Sequence, residues 1–217
     1  MMSAWLVSDG ELSLSKGQLT RQDKYVAVAR KKLSRRQPAW RAERTFKAMK
    51  RVLKENFFTR PDVAFLREAY VCCRLAKHLN ATEMEMLDEE FPDFRIYFIN
   101  SYRDFECTEV MGTHRKRSDE YRVLKEIRSE GKTTPPKEIP RYLFSSANCI
   151  TAVQVGCRKK VEKYGSLCQS VELVIYLNDY WPLEEEMPKI VTEATSSAAA
   201  NFSNVHVLTD SRIFSMQ

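Results

Sequence analysis

The segment Val171–Leu177 constrains the fold more than any other part of the chain. Its sequence, Val-Glu-Leu-Val-Ile-Tyr-Leu, is almost continuously apolar. A strand with one face in water alternates apolar and polar side chains, whereas a strand covered on both faces does not. We therefore predict that this segment is a central β-strand with other layers of structure packed on both of its sides.

Helical and strand-like patterns alternate along the rest of the chain. The predicted helices are two in residues 21–54 that separate at Pro38, Val63–Leu79 capped by Asp62, Asp119–Ser129, Ile150–Tyr164 ending at Gly165, and Leu183–Ala200. The predicted strands are Met84–Leu87, a hairpin over Asp93–Val110, Val171–Leu177, Val205–Leu208 and Arg212–Phe214. This order predicts an α/β fold with a mixed central β-sheet flanked by helices.

Length and composition set the organisation of the chain. The 217 residues are enough for one domain with an appendage. We predict a basic helical N-terminal extension over 1–58 and an α/β core over 59–217. No apolar run is long enough to span a membrane, and no secretory signal is recognisable at the start. The six cysteines form no C-x-x-C pair, so we expect reduced, buried thiols in a cytoplasmic protein.

Positive charge is concentrated in residues 21–54. This segment has thirteen basic and two acidic residues, an excess of +11, while the whole chain carries only +6. Such a one-sided charge indicates an anionic partner, and nucleic acid is the first candidate. We predict that the phosphate contacts come from two basic clusters: Lys31, Lys32, Arg35 and Arg36 in the first, and Arg115, Lys116 and Arg117 in the second. A basic face that is simply solvated remains the alternative.

Two carboxylates stand in the predicted hairpin. Asp93 opens its first strand and Glu106 lies inside its second strand. An acid within an otherwise apolar strand is costly to bury unless a partner neutralises it. A divalent cation is one such partner, since oxygen ligands suit magnesium. The hairpin therefore suggests a site at which both acids hold a metal ion.

The residues in and around this hairpin resemble a known family. Glu68 lies on a helix, Pro92-Asp93 opens a strand, and Glu106-Cys107-Thr108 lies in the next strand. This series is similar to the signature of the PD-(D/E)XK nuclease superfamily, and the likeness covers roughly Phe65–Leu177. The resemblance implies a restriction-endonuclease-like fold and cleavage of DNA phosphodiester bonds. It also implies Mg²⁺ or Mn²⁺ held by Asp93 and Glu106, with Glu68 assisting.

One position departs from the pattern of that superfamily. Thr108 stands where its members normally have a lysine, and threonine supplies no positive charge. Lys160 and Tyr164 are spaced to lie on one face of a predicted helix, an arrangement that looks like the Gln-x-x-x-Tyr motif of some branches. We therefore predict that Lys160 is the replacement lysine of the catalytic set, with Lys159, Lys163 and Lys116 as the alternatives.

Two other functions stay open at this point. The same fold without catalysis would bind nucleic acid and ignore magnesium, since folds are reused for unrelated tasks. Alternatively, the basic helices would serve as a protein-interaction module, with self-association into a homo-oligomer as one form of it.

Overall fold

The computed structural model describes residues 20–54, 56–111, 145–177, 186–209 and 211–216. The helices are α1 Arg21–Leu33, α2 Ala39–Leu53, α3 Asn56–Thr59, α4 Ala64–His78, α5 Ser146–Tyr164 and α6 Met187–Ala199. The strands are β1 Glu83–Met86, β2 Phe94–Tyr97, β3 Tyr102–Val110, β4 Glu172–Leu177, β5 Asn204–Leu208 and β6 Ile213–Met216. The mixed sheet with flanking helices confirms the predicted α/β class.

The six strands lie in the sheet in the order in which they occur in the chain. β1, β2 and β3 form an antiparallel meander, β3, β4 and β5 are parallel, and β6 returns antiparallel to β5. Each parallel pair is joined by a segment that contains a helix, because parallel neighbours need a crossover connection. α5 belongs to the first crossover and α6 to the second.

Strand β4 lies between two hydrophobic cores, as its sequence predicts. All six of its residues are buried. Val174 and Tyr176 face a core formed with α1, α2 and α4, whereas Leu173, Ile175 and Leu177 face a core formed with α5 and α6. The alternation of side chains along a strand accounts for this division. The basic helices α1 and α2 thus pack in the same core as α4 and one face of the sheet.

The outer edge of β1 is partly covered by the connection between α1 and α2. Gln37 and Met84 exchange two backbone hydrogen bonds, with N···O distances of 2.9 and 2.8 Å. An unpaired edge invites pairing with another chain, and this bridge removes part of it. The predicted break at Pro38 is confirmed, since α2 begins directly after that residue.

The predicted cap of the fourth helix is wrong. Asp62 lies in a 3-10 turn over Pro61–Val63, and α4 begins at Ala64 with no side-chain cap. The carboxylate of Asp62 instead accepts two hydrogen bonds from Arg60, at 3.0 and 2.5 Å. A charged guanidinium two residues away is a stronger partner for this carboxylate than a backbone N–H.

Other predicted elements agree with the structure. The hairpin over Asp93–Val110 is present as β2 and β3. The helix predicted from Ile150 begins four residues earlier, because the Ser145 hydroxyl accepts a hydrogen bond from the Asn148 N–H, and it ends at Gly165 with φ +56° as predicted. The predicted helix Asp119–Ser129 lies outside the described residues. Within the described part of the chain, no helix has the length and apolar character needed to cross a membrane.

Candidate active site

Glu106 lies in the middle of β3 with its side chain fully buried. Phe105 and Cys107 point into the core beneath α4, so Glu106 points to the opposite face, toward α5. Lys160 of α5 donates a hydrogen bond from Nζ to Glu106 Oε1 and forms an ion pair with it. The second oxygen, Oε2, is buried and has no hydrogen-bond partner among the described residues.

Asp93 is fixed beside Glu106 by the hairpin. Its backbone N–H donates to the Phe105 carbonyl at 3.0 Å, and its Oδ2 accepts from the Cys107 N–H at 2.7 Å. These two bonds flank Glu106 on the neighbouring strand. The carboxyl groups of Asp93 and Glu106 are close enough that each influences the pKa of the other. The two acids predicted to converge do so.

Helix α5 also holds the loop that delivers Asp93. The Tyr164 hydroxyl donates to the Glu90 carbonyl at 3.1 Å, and its ring contacts the Phe91 ring with centroids 4.3 Å apart. Lys163 forms an ion pair with Glu90 at 2.7 Å. Lys160 and Tyr164 therefore lie on one face of the helix, as predicted, and each contacts a different part of the same site.

Close packing of α5 on β3 explains why Thr108 is small. A Cβ atom added to Gly156 would lie 3.1 Å from Val110 Cγ2 and 3.8 Å from Thr108 Oγ1. A lysine at position 108 would therefore have to run beneath the helix, where there is little room. The ammonium group near Glu106 comes from the helix instead, one turn beyond Gly156.

The acids of the site lie in a poorly solvated environment. Burial, followed by the negative charge of Asp93, raises the pKa of Glu106 to about 7, against the opposing pull of Lys160. Burial also raises the pKa of Asp93, although Lys160 and the Cys107 N–H act in the other direction. Burial, the largest single influence, lowers the pKa of Lys160, but its hydrogen bond to Glu106 and the negative charges of Glu106 and Asp93 together outweigh burial, so the net shift is upward. Lys160 therefore stays charged, and the two acids Glu106 and Asp93 both lie near its ammonium group.

Glu68 joins this group from the opposite side of the sheet. It lies on α4, and burial, followed by the charge of Asp93, raises its pKa to about 7. Arg67, the preceding residue, is 3.7 Å from Glu109 of β3. Glu68 is therefore an electrostatic neighbour of Asp93, and the structure places all four predicted catalytic residues in one region.

The donor set fits a magnesium ion with few protein ligands. Among the described residues, no group of three His, Cys, Asp or Glu side chains is arranged to hold a metal. Asp93 and Glu106 offer two carboxylates, and magnesium is usually bound through one or two carboxylates with several waters. The unpartnered Glu106 Oε2 is an oxygen that such an ion would satisfy.

The raised pKa of Glu68 has a consequence for stability. A carboxyl group whose pKa is higher in the folded protein binds its proton more tightly there, so stability falls as pH rises. For Glu68 this loss occurs between its ordinary pKa of 4.5 and its folded value of about 7. We expect Glu68→Gln to be more stable than the wild type by about 1–3 kcal/mol at pH 8 and similar at pH 4.

Urea unfolding in EDTA across this pH range measures the difference. Glu162→Gln is the control, because Glu162 is exposed on α5 and its ion pair with Arg158 is long, at 3.7 Å. A constant difference between Glu68→Gln and the wild type at all pH values would contradict the assignment of the shift to Glu68.

A buried polar network on the other face of the sheet was not predicted. Arg103 donates to Glu172 Oε1 at 3.0 Å, and the other Glu172 oxygen is 2.6 Å from His206 Nε2. His206 Nδ1 is 2.8 Å from the Ser215 hydroxyl. Residue patterns do not reveal this network, because its contacts depend on strand register across β3, β4, β5 and β6. The network links four strands and satisfies two buried polar side chains.

The predicted phosphate-binding residues differ in their surroundings. Lys31, Lys32 and Arg35 are exposed at the end of α1 and beyond it. Arg36 is held by Glu83 at 2.6 Å and stacks on the Tyr97 ring at 4.2 Å. The second basic cluster, Arg115, Lys116 and Arg117, lies outside the described residues.

Comparisons with known proteins identified no relative of this chain. No protein-family model, no curated protein and no solved structure matches this chain. The site therefore has to be interpreted from its own geometry and chemistry.

Proposed function

We propose that this protein is a metal-dependent nuclease that hydrolyses phosphodiester bonds in DNA. The observation that carries the proposal is the contact between Lys160 and Glu106, 54 positions apart in the chain, beside Asp93. Two acids that could hold a metal ion, with a cation beside them, are groups that metal-dependent phosphodiester hydrolysis uses. The likeness of Glu68, Pro92-Asp93 and Glu106 to the PD-(D/E)XK signature supports the same assignment.

Each residue has a defined task in this proposal. Asp93 and Glu106 would hold the ion, and a bound divalent cation would supply neutralisation of phosphate charge and activation of water. Lys160 has 22% of its side chain exposed, whereas Glu106 has none, so Lys160 is the member of the ion pair that an approaching phosphate would reach first. Glu68 adds negative charge next to Asp93 and strengthens the attraction for a divalent cation.

The partner and the compartment belong to the same proposal. The excess of positive charge on α1 and α2 favours a nucleic-acid partner. All six cysteines are buried and free of disulfides. Buried thiols in that state agree with a reducing compartment, and we propose the cytoplasm.

A second candidate is a DNA-binding protein of the same fold that lacks catalysis. The complete burial of Glu106 favours it, because an ion and its waters would have to open the contact with Lys160. The two candidates make different predictions about magnesium, since the binding protein would function equally well without it.

Incubation of the purified protein with plasmid DNA decides between them. We expect breakdown of the plasmid with Mg²⁺ or Mn²⁺ and none with EDTA. Binding of the plasmid without breakdown under any metal condition would support the second candidate and contradict the first.

A further inference from the structure

Helices α1 and α2 enclose an open groove of about 510 Å³. Apolar residues form its base, among them Ala29 and Met49, which are buried. Larger apolar side chains on its walls remain exposed: Trp40 at 52%, Val28 at 51% and Tyr25 at 40%. Large exposed apolar groups that line one groove indicate a binding surface.

The rim of this groove is cationic. Lys32, Arg41 and Arg44 line it, and none of the three forms an ion pair with any residue that the structure describes. Other basic residues of the same region are already paired, such as Lys47 with Glu43 at 2.9 Å. The three rim cations are thus available to an anionic partner, and charge complementarity defines the class of that partner.

Aromatic and cationic groups lie side by side at the groove, where Arg41 lines it and Arg21 lies next to the lining residue Tyr25. The Arg41 guanidinium lies 5.5 Å from the centre of the Trp40 ring, and Arg21 lies 5.7 Å from the centre of the Tyr25 ring. Sites for single-stranded nucleic acid combine these two features, with bases stacked on aromatic rings and phosphates held by basic side chains. A duplex keeps its base faces stacked internally and offers only its phosphates to such a surface.

We infer that the groove between α1 and α2 binds a single-stranded stretch of nucleic acid, with a base stacked on Trp40 and phosphates at Lys32, Arg41 and Arg44. The inference deepens the proposed nuclease function, on which its biological meaning rests, by naming the form of substrate. α1 also contacts the loop that carries Asp93, through Arg30 and Asp88 at 3.8 Å. One helix therefore links the groove to the candidate active site.

Binding in EDTA tests the groove separately from catalysis. The probes are a fluorescent oligothymidylate of about 20 nucleotides, longer than the ~4–16 nucleotides that one OB-fold domain of a single-strand-binding protein covers, and a duplex of the same length. We expect Trp40→Ala to weaken oligothymidylate binding by roughly 5- to 150-fold, the equivalent of about 1–3 kcal/mol per stacked base. Its affinity for the duplex should stay close to that of the wild type.

Charge variants supply the matched comparison. Replacing Lys32, Arg41 and Arg44 together with alanine should reduce the slope of log affinity against log salt by about 2. Lys47 lies on α2 with Arg41 and Arg44 but is paired with Glu43, so Lys47→Ala should leave that slope nearly unchanged. Thermal melting of each variant verifies that it is folded, and Trp40→Phe should restore most of the binding by keeping a ring in place.

Three results would overturn the inference. The first is equal oligothymidylate affinity in the wild type and Trp40→Ala, and the second is equal loss of duplex and oligothymidylate binding in Trp40→Ala. The third is a wild type that binds neither probe but binds polyglutamate, an acidic polypeptide, tightly. Because no cleavage occurs in EDTA, a failure here leaves the nuclease proposal standing. Absence of metal-dependent cleavage, in turn, leaves these affinities unchanged.

Discussion

Glu106→Gln is expected to lose metal-dependent DNA cleavage by roughly 10³-fold or more, with the fold retained. Glutamine keeps the size of the side chain but removes the charge that would hold the ion. The fold should be retained because the glutamine oxygen can still accept the hydrogen bond from Lys160, and the negative charge of Asp93 remains beside that ammonium group. Initial rates of plasmid nicking with Mg²⁺, normalised to protein concentration, measure the loss.

Asp104→Asn is the control for this experiment. Asp104 lies two residues before Glu106 on β3, on the same face of the strand. Its carboxylate is held by Arg95 at 2.6 and 2.9 Å, so it does not belong to the candidate site. Asp104→Asn should cleave at a rate near that of the wild type. Equal rates for Glu106→Gln and the wild type would contradict the role given to Glu106.

Lys160→Met is expected to lower the free energy of unfolding by about 3 kcal/mol at pH 8. Removing one member of a buried ion pair leaves the other charge without a partner, and Glu106 is completely buried. The loss should shrink at pH 5, since loss of the ammonium group raises the pKa of Glu106 further and the carboxyl group is then protonated. Urea unfolding at the two pH values measures both effects.

A double-mutant cycle separates the ion pair from simple loss of packing. Lys160→Met combined with Glu106→Gln should recover most of the stability at pH 8, because no buried charge is left alone. Lys163→Met is the control on the same helix, where the lysine pairs with the exposed Glu90 and should change stability little. If the double variant were as unstable as Lys160→Met at pH 8, the ion pair would not be the cause.

The order of helices and strands was predictable from local residue patterns. The choice that a polar side chain makes between two nearby hydrogen-bond partners was not. The continuous apolar run of β4 and the hairpin around Asp93 each gave one clear solution. Asp62 had two options, a helix cap or Arg60, and the sequence does not show which is nearer. The early start of α5 depended on the Ser145 hydroxyl, and the polar first turn of that helix concealed it.

The candidate site was predictable in its residues but not in its geometry. Asp93 and Glu106 were found as acids in apolar strands, and Lys160 was found through the family resemblance. Neither the acids in the strands nor the resemblance reveals that α5 packs on β3 at Gly156. This close packing leaves room for only a small side chain at position 108, which is Thr108. The network from Arg103 through Glu172 to His206 required strand register, which residue patterns do not fix at this distance.

Calorimetric titration of Mn²⁺ into the metal-free protein tests the central claim most directly. The claim is that Asp93 and Glu106 share one divalent cation. Wild type and Asp104→Asn should each bind one ion per chain, and saturation at about 100 times the Kd should stabilise them by about 2.7 kcal/mol. Asp93→Asn should remain folded and lose that binding. Identical titrations for Asp93→Asn and the wild type, or no binding by either, would contradict the shared site.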